Sequence, residues 1–303
     1  MKLEQRNELE IIKIRPQGFC KGVVSAINTL NERLLNDDLV KPIYMLGGIV
    51  HNKHIINAYS LKGIKIISFE DIKDIEKGTI IITAHGLSNK KRNYIQEKCL
   101  NIIDTTCKEV RKIQDLIFDK EKEGYKIIYF GSSNHPECKA IIEDHQDIFL
   151  IENEIDAQKL NINNDKILFA SQTTASYETV SKIEALLKFK FPNIETTSDI
   201  CNATKSRQLA LIEKSKECDM ILVIGDKMSN NTNKLVELGN KYSKAVLIDE
   251  VSDLEKIDFS GIKKLGVTAG ASTPNILVEE IIKKIQNPTY VIDLKCEQYI
   301  NIK

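Results

Sequence analysis

The fold is decided by the stretch Asp104–Gly131, DTTCKEVRKIQDLIFDKEKEGYKIIYFG. Apolar residues three or four apart predict an amphipathic helix over Val110–Lys120. The run Tyr125–Phe130 reads as a buried strand, and Gly131 turns the chain into a polar loop. Cys107 stands where the helix begins. The same series occurs twice more. Gly18-Phe19-Cys20 opens the helical stretch Val23–Leu35, followed by the strand Lys41–Leu46 and Gly47. Ser198-Asp199-Ile200-Cys201 opens Thr204–Glu217, followed by Met220–Ile224 and Gly225.

Each third of the chain has a second buried strand: Thr79–Thr83, Lys166–Ala170 and Lys264–Thr268. Each ends in a small polar loop: Thr83-Ala84-His85-Gly86, Ser171-Gln172-Thr173-Thr174 and Thr268-Ala269-Gly270-Ala271-Ser272. A further strand is expected at Lys244–Ile248 and a further helix at Tyr177–Phe189. Buried strands that do not alternate, interleaved with amphipathic helices, predict an α/β fold with mostly parallel sheets covered on both faces. Repetition at roughly 90–100 residues predicts three similar domains in a pseudo-threefold arrangement, with the three cysteines at its centre. The expected boundaries are 12–104, 105–197 and 198–290, followed by a tail, 291–303.

Composition narrows the function. In 303 residues, 42% hydrophobic and 28% charged, there is enough apolar material for a soluble globular core. The 43 Lys and Arg cancel the 43 Asp and Glu, which argues against a nucleic-acid or anionic-membrane partner. Met1–Glu10 has no apolar signal core, and no apolar run approaches the roughly 18 residues that span a bilayer, so a cytoplasmic protein is expected. The seven cysteines include no C-x-x-C pair, which argues against a zinc ribbon or a thioredoxin-like site. In the cytosol they stay reduced.

A helix N-terminus favours the thiolate form that binds metal, so Cys20, Cys107 and Cys201 are candidate ligands. Soft thiolates select zinc, Cu(I) or iron–sulfur clusters, and three of them on a cubane leave one iron without a protein ligand. Cys99, Cys138, Cys218 and Cys296 lack a repeat equivalent and are expected to lack the helix start, leaving them as core or surface thiols. Ligands of α/β sheets bind beyond the carboxyl ends of the strands. There the chain places His51-Asn52, His85, Asn134-His135-Pro136-Glu137, Thr173-Thr174, Ser229-Asn230-Asn231-Thr232-Asn233 and Ser272. These donors suit a phosphate or diphosphate, while the nucleotide-binding glycine motifs are absent. Glu137 is the one carboxylate among them and the candidate proton donor.

Taken in order, these segments resemble the 4-hydroxy-3-methylbut-2-enyl diphosphate reductase family, from about residue 14 to 275. Gly18-Phe19-Cys20-Lys21-Gly22-Val23, Val50-His51-Asn52, Ala84-His85-Gly86, Asp104-Thr105-Thr106-Cys107 and His135-Pro136-Glu137 match, as do Ser171-Gln172-Thr173-Thr174, Asp199-Ile200-Cys201-Asn202-Ala203-Thr204, Ser229-Asn230-Asn231 and the loop ending at Ser272. The resemblance implies three domains around one [4Fe–4S] cluster on Cys20, Cys107 and Cys201, with the fourth iron open to the substrate's allylic hydroxyl. It implies a diphosphate held by His51, His85, His135, Ser229, Asn231 and Ser272, with Thr204 and Asn230 lining the site. Glu137 then supplies protons, Thr173 bonds it, and a small donor such as ferredoxin or flavodoxin supplies electrons. The products implied are isopentenyl and dimethylallyl diphosphate, at the last step of the methylerythritol phosphate pathway. The chain departs from the family at Asn230, where a serine is common, at Lys21, and at Cys138-Lys139-Ala140; Met1–Ile11 extends beyond the usual start and carries no visible motif. Two rival readings are another three-cysteine [4Fe–4S] Lewis-acid enzyme, of dehydratase or quinolinate synthase type, and a non-redox phosphate- or zinc-binding module.

Overall fold

The computed structural model describes residues 9–36, 38–197 and 200–302. The Ser198-Asp199 part of the third cysteine motif, the expected domain boundary at 198, and Met1–Gln5, Arg6, Asn7 and Glu8 of the N-terminal extension lie outside the described residues.

The chain opens with β1 (Glu10–Lys13) and α1 (Lys21–Leu34). A first sheet contains β2 (Ile43–Leu46), β3 (Lys65–Ile67), β4 (Thr79–Ile82) and β5 (Asn101–Asp104). Between these strands come α2 (Lys53–Leu61) and α3 (Asn89–Glu97). After α4 (Lys108–Lys122) a second sheet contains β6 (Lys126–Phe130), β7 (Ile148–Ile151), β8 (Ile167–Ser171) and β9 (Glu195–Thr196). Its connections include α5 (Pro136–Asp144), α6 (Glu154–Lys159) and α7 (Tyr177–Lys190). Then follow α8 (Asn202–Ser215), β10 (Met220–Ile224), α9 (Asn230–Gly239), β11 (Lys244–Ile248), β12 (Lys264–Ala269) and α10 (Asn275–Gln286).

All strand pairs are parallel, and the three sheets share one topology: β3-β2-β4-β5, β7-β6-β8-β9 and β11-β10-β12-β1. In each, the outer strand beside the second long strand is the one that precedes a cysteine in the sequence: β5 before Cys107, β9 before Cys201, β1 before Cys20. The last sheet therefore takes its fourth strand from the other end of the sequence. Glu10–Lys13 pairs in register with Lys264–Val267, which gives the N-terminal extension a structural role at its Ile11 end.

The expected α/β class holds, and every expected strand and helix is present within two residues of its predicted bounds. The strands not anticipated (β1, β3, β5, β7 and β9) are short, lie at sheet edges and are partly exposed, so they lack a continuous apolar run. The central strands β4, β8 and β10 are buried along their whole length, as strands covered on both faces must be.

By contact density the chain divides into two units. One comprises residues up to Val24, Val50–Lys62 and the chain from Asn202; the other comprises Ser25–Ile49 and Gly63–Cys201. In the first, Leu222, Ile224, Leu265 and Val267 pack with Val278, Ile281 and Ile285 of α10 on one face of the sheet. On the other face Ile221 and Val223 pack with Leu211 of α8 and Leu235 of α9. In the second unit, Ile128 and Phe169 pack with Val180 and Ile183 of α7, and Tyr129 and Leu168 pack with Ile113 and Ile117 of α4. No described helix is long and apolar enough to cross a membrane.

Candidate active site

The three cysteines are held alike. Cys20 and Cys201 immediately precede α1 and α8, and Cys107 is the N-cap of α4. The Cys20 N–H donates to Ala271 O at 3.0 Å, the Cys107 N–H to Ala84 O at 3.0 Å and the Cys201 N–H to Thr173 O at 3.1 Å. Each acceptor lies in one of the polar loops that follow β12, β4 and β8. All three cysteines are partly exposed. Three soft donors at helix starts, each with its backbone pinned, match the chemistry of a cluster-binding set.

The Cys20 loop has further supports. Its sulfur accepts the Val23 N–H at 3.4 Å. Gly18 has φ +73°, and a Cβ there would lie 1.8 Å from Asn275 Oδ1, the oxygen that accepts the Phe19 N–H at 3.1 Å. The buried Arg207 guanidinium donates to Gly18 O at 2.6 Å and to Ala203 O at 2.8 Å, tying this loop to α8.

In the same unit three loops gather polar side chains. Ser272 Oγ donates to His51 O at 3.2 Å and to Ser229 Oγ at 3.3 Å, and Ser229 also caps α9 by accepting the Thr232 N–H. Asn231 is 3% exposed, and neither atom of its carboxamide has a partner among the described residues. Such a group costs stability unless a ligand satisfies it. It sits in the first turn of α9, where backbone N–H groups favour an anion. Asn230 lies beside it, half-buried, and Thr204 is fully buried on the first turn of α8.

The other unit carries the carboxylate. Glu137, 2% exposed, accepts the Thr173 N–H at 2.8 Å and the Thr173 hydroxyl at 2.9 Å, with the Tyr129 hydroxyl 3.4 Å away. Its place follows from Pro136, whose fixed φ starts α5, and from His135, the N-cap, whose Nδ1 accepts the Glu137 N–H at 3.3 Å. That bond assigns the ring proton to Nε2 and leaves it as a donor. The His85 ring meets the His135 ring edge-on, with centroids 5.5 Å apart.

Cys138 and Cys296 differ from expectation in lying at helix starts: Cys138 is the third residue of α5, and Cys296 opens a short 3-10 turn. Proline initiates α5 one position before Glu137 and so carries Cys138 inside, against Ile113, Tyr129 and Ile141. Burial and the neighbouring Glu137 and Glu152 charges push its thiol up to about 12, so it remains a neutral core group. Sequence reading missed Tyr129, Arg207, Asn275 and Asp226. Only Asp226 had a visible signal, its position directly after the strand-end Gly225.

The family model described as LytB protein matches residues 11–286. A 4-hydroxy-3-methylbut-2-enyl diphosphate reductase of Halalkalibacterium halodurans is 41% identical over 285 residues, 92% of this chain and 91% of the relative. The protein of the same name in Bacillus subtilis is 38% identical over the same shares. The solved structure of the E-1-hydroxy-2-methyl-but-2-enyl-4-diphosphate reductase from Plasmodium falciparum superposes with a TM-score of 0.86 at 35% identity, covering 93% of this chain and 89% of that one. A second solved structure, described as the terminal enzyme of the non-mevalonate pathway, gives a TM-score of 0.64 at 27% identity over 92% of this chain and 99% of that one. The three anchored cysteines, the Glu137–Thr173 pair and a match along nearly the whole chain lead to one conclusion: the chain belongs to the LytB family.

Proposed function

We propose that this chain catalyses the reductive dehydroxylation of (E)-4-hydroxy-3-methylbut-2-enyl diphosphate to isopentenyl and dimethylallyl diphosphate. The observation that carries the reading is the threefold equivalence of Cys20, Cys107 and Cys201, each bonded through its N–H to a strand-end loop. They would hold one [4Fe–4S] cluster, with the three domains 12–104, 105–197 and 198–290 arranged pseudo-threefold around it and 291–303 as a tail. When bound, such a cluster supplies one-electron reduction and an iron without a protein ligand.

The side chains do the rest. His51, His85, His135, Ser229, Asn231 and Ser272 bind the diphosphate, and Thr204 and Asn230 line the substrate. Glu137 holds a proton for the departing hydroxyl oxygen, and its two bonds from Thr173 fix the direction of delivery. The balance is two electrons and two protons per substrate: the C–O bond breaks, water leaves, and a C–H bond forms at either end of the allyl system. The electrons come from a small cytoplasmic donor such as ferredoxin or flavodoxin.

Anaerobic iron and sulfide assays on the parent and on Cys20→Ser, Cys107→Ser and Cys201→Ser test the reading. About four of each per parent chain are expected, with loss in every variant. Full iron in any one variant, or a colourless parent with stoichiometric zinc, overturns it. Product analysis with counted reductant separates a reductase from a dehydratase, since only the former consumes two electrons per turnover.

A further inference from the structure

Asp226 follows Gly225 at the end of β10 and is only 6% exposed. Both of its carboxylate oxygens are used. Oδ2 accepts the Lys53 N–H at 2.7 Å, and Oδ1 accepts the Met228 N–H at 2.7 Å. The first bond seizes the chain two residues after His51, where α2 begins. The second folds the loop that delivers Ser229 to the start of α9. Ser272 closes the same arrangement by bonding both His51 O and Ser229 Oγ. One buried carboxylate therefore fastens two of the three loops that carry these donors.

We propose that Asp226 is a positioning residue for the diphosphate: it holds the His51 segment to the Ser229 loop and supplies the countercharge that lets His51 bind as an imidazolium. The inference rests on the reading above that His51 meets the diphosphate. The electrostatics around the ring support it. Burial, the largest influence on His51, pushes its pKa below the usual histidine value, while the Asp226 charge and a bond to the Met228 backbone pull the other way. Without Asp226 the imidazole would be still harder to protonate.

The other charged groups nearby are already committed. Lys53 Nζ lies 3.1 Å from Asp249 and also pairs with Glu250. His54 is itself lowered, first by burial and then by Lys53. Lys227 is exposed, and the loop after β12 offers only uncharged Ser272. A carboxylate near a diphosphate also repels it. With both oxygens turned to backbone N–H groups, that repulsion acts at longer range than the direct contact of His51, so the gain from the cation outweighs it.

The test uses the cluster-loaded enzyme under anaerobic conditions, with inorganic pyrophosphate as competitive inhibitor between about pH 5 and pH 8. In the parent, inhibition weakens as pH rises through the histidine range. Removing the countercharge lowers the His51 pKa further, so the midpoint in Asp226→Asn should move to lower pH by at least about half a unit, with inhibition at neutral pH about threefold weaker. Asp226→Ser, which keeps a hydroxyl for one backbone N–H, should shift it likewise, and Asp226→Glu should restore it. His85 and His135, assigned to the same diphosphate, are unchanged throughout, so only the difference between proteins is read. Superimposed profiles, a uniform weakening at every pH, or tighter inhibition at every pH would each overturn the proposal. If the parent itself does not bind pyrophosphate, the diphosphate reading falls and this inference with it; if the parent binds and the variants match it, only Asp226 loses its role.

Discussion

Glu137 shows how much chemistry one side chain can carry when its neighbours are fixed. Two bonds from Thr173 fix its carboxyl, and 2% exposure sets it apart from bulk water. Glu137→Gln preserves the shape and can still accept the Thr173 N–H, but it cannot play the proposed role of proton donor. We expect kcat to fall by about 10²-fold or more with iron content intact; turnover near the parent's would exclude the proton-donor role. The adjacent Cys138 predicts the opposite behaviour. Held neutral by burial, with its thiol near 12, it should resist iodoacetamide at mildly alkaline pH in the folded protein while exposed Cys99 reacts. Peptide mapping that finds Cys138 labelled in the native state would contradict this.

At the scale of elements, α3 ends in a turn that its own residue suits poorly. The Cys99 N–H donates to Gln96 O at 2.8 Å and the Leu100 N–H to Ile95 O at 3.3 Å, the paired bonds of a Schellman cap. Its left-handed position is occupied by Cys99 at φ 55°, where glycine avoids a Cβ clash of about 1 kcal/mol. Cys99→Gly should therefore raise unfolding stability by up to about 1 kcal/mol, measurable in denaturant, and no gain would show that the cap relaxes elsewhere. The Arg207 bridge between α8 and the Cys20 loop predicts a loss instead. Arg207→Met orphans the Gly18 carbonyl, at about 1–3 kcal/mol for a buried group, and should lower the denaturation midpoint. An unchanged midpoint would mean that the bridge adds nothing.

For the whole molecule, the N-terminal strand matters more than its length suggests. β1 completes a sheet whose other three strands lie beyond residue 219, and Ile11 packs against the apolar face that contains Val278 and Ile281. Removing the chain through Lys13 would leave β12 as an open parallel edge and uncover that face. Lower soluble yield and a lower melting temperature are expected, and wild-type values in both would refute the closure role. Most of the plan was legible beforehand because central parallel strands must be continuously apolar and the cysteines mark each repeat. The edge strands β1, β3, β5, β7 and β9 were not, since a partly exposed run of two to four residues carries little hydrophobic signal.

The sequence alone determined the α/β class, the repeated order of helix, strand and polar loop, and the residue types available for soft-metal and anion binding, because these follow from local periodicity and side-chain chemistry. Tertiary structure alone decided that β1 joins the last sheet, that Cys138 turns inward, that Asn231 is buried with no partner for its carboxamide among the described residues, and that Asp226 clamps the His51 segment. Each of these depends on partners distant in the chain, and local pattern does not encode which distant backbone groups a folded chain brings within hydrogen-bonding reach.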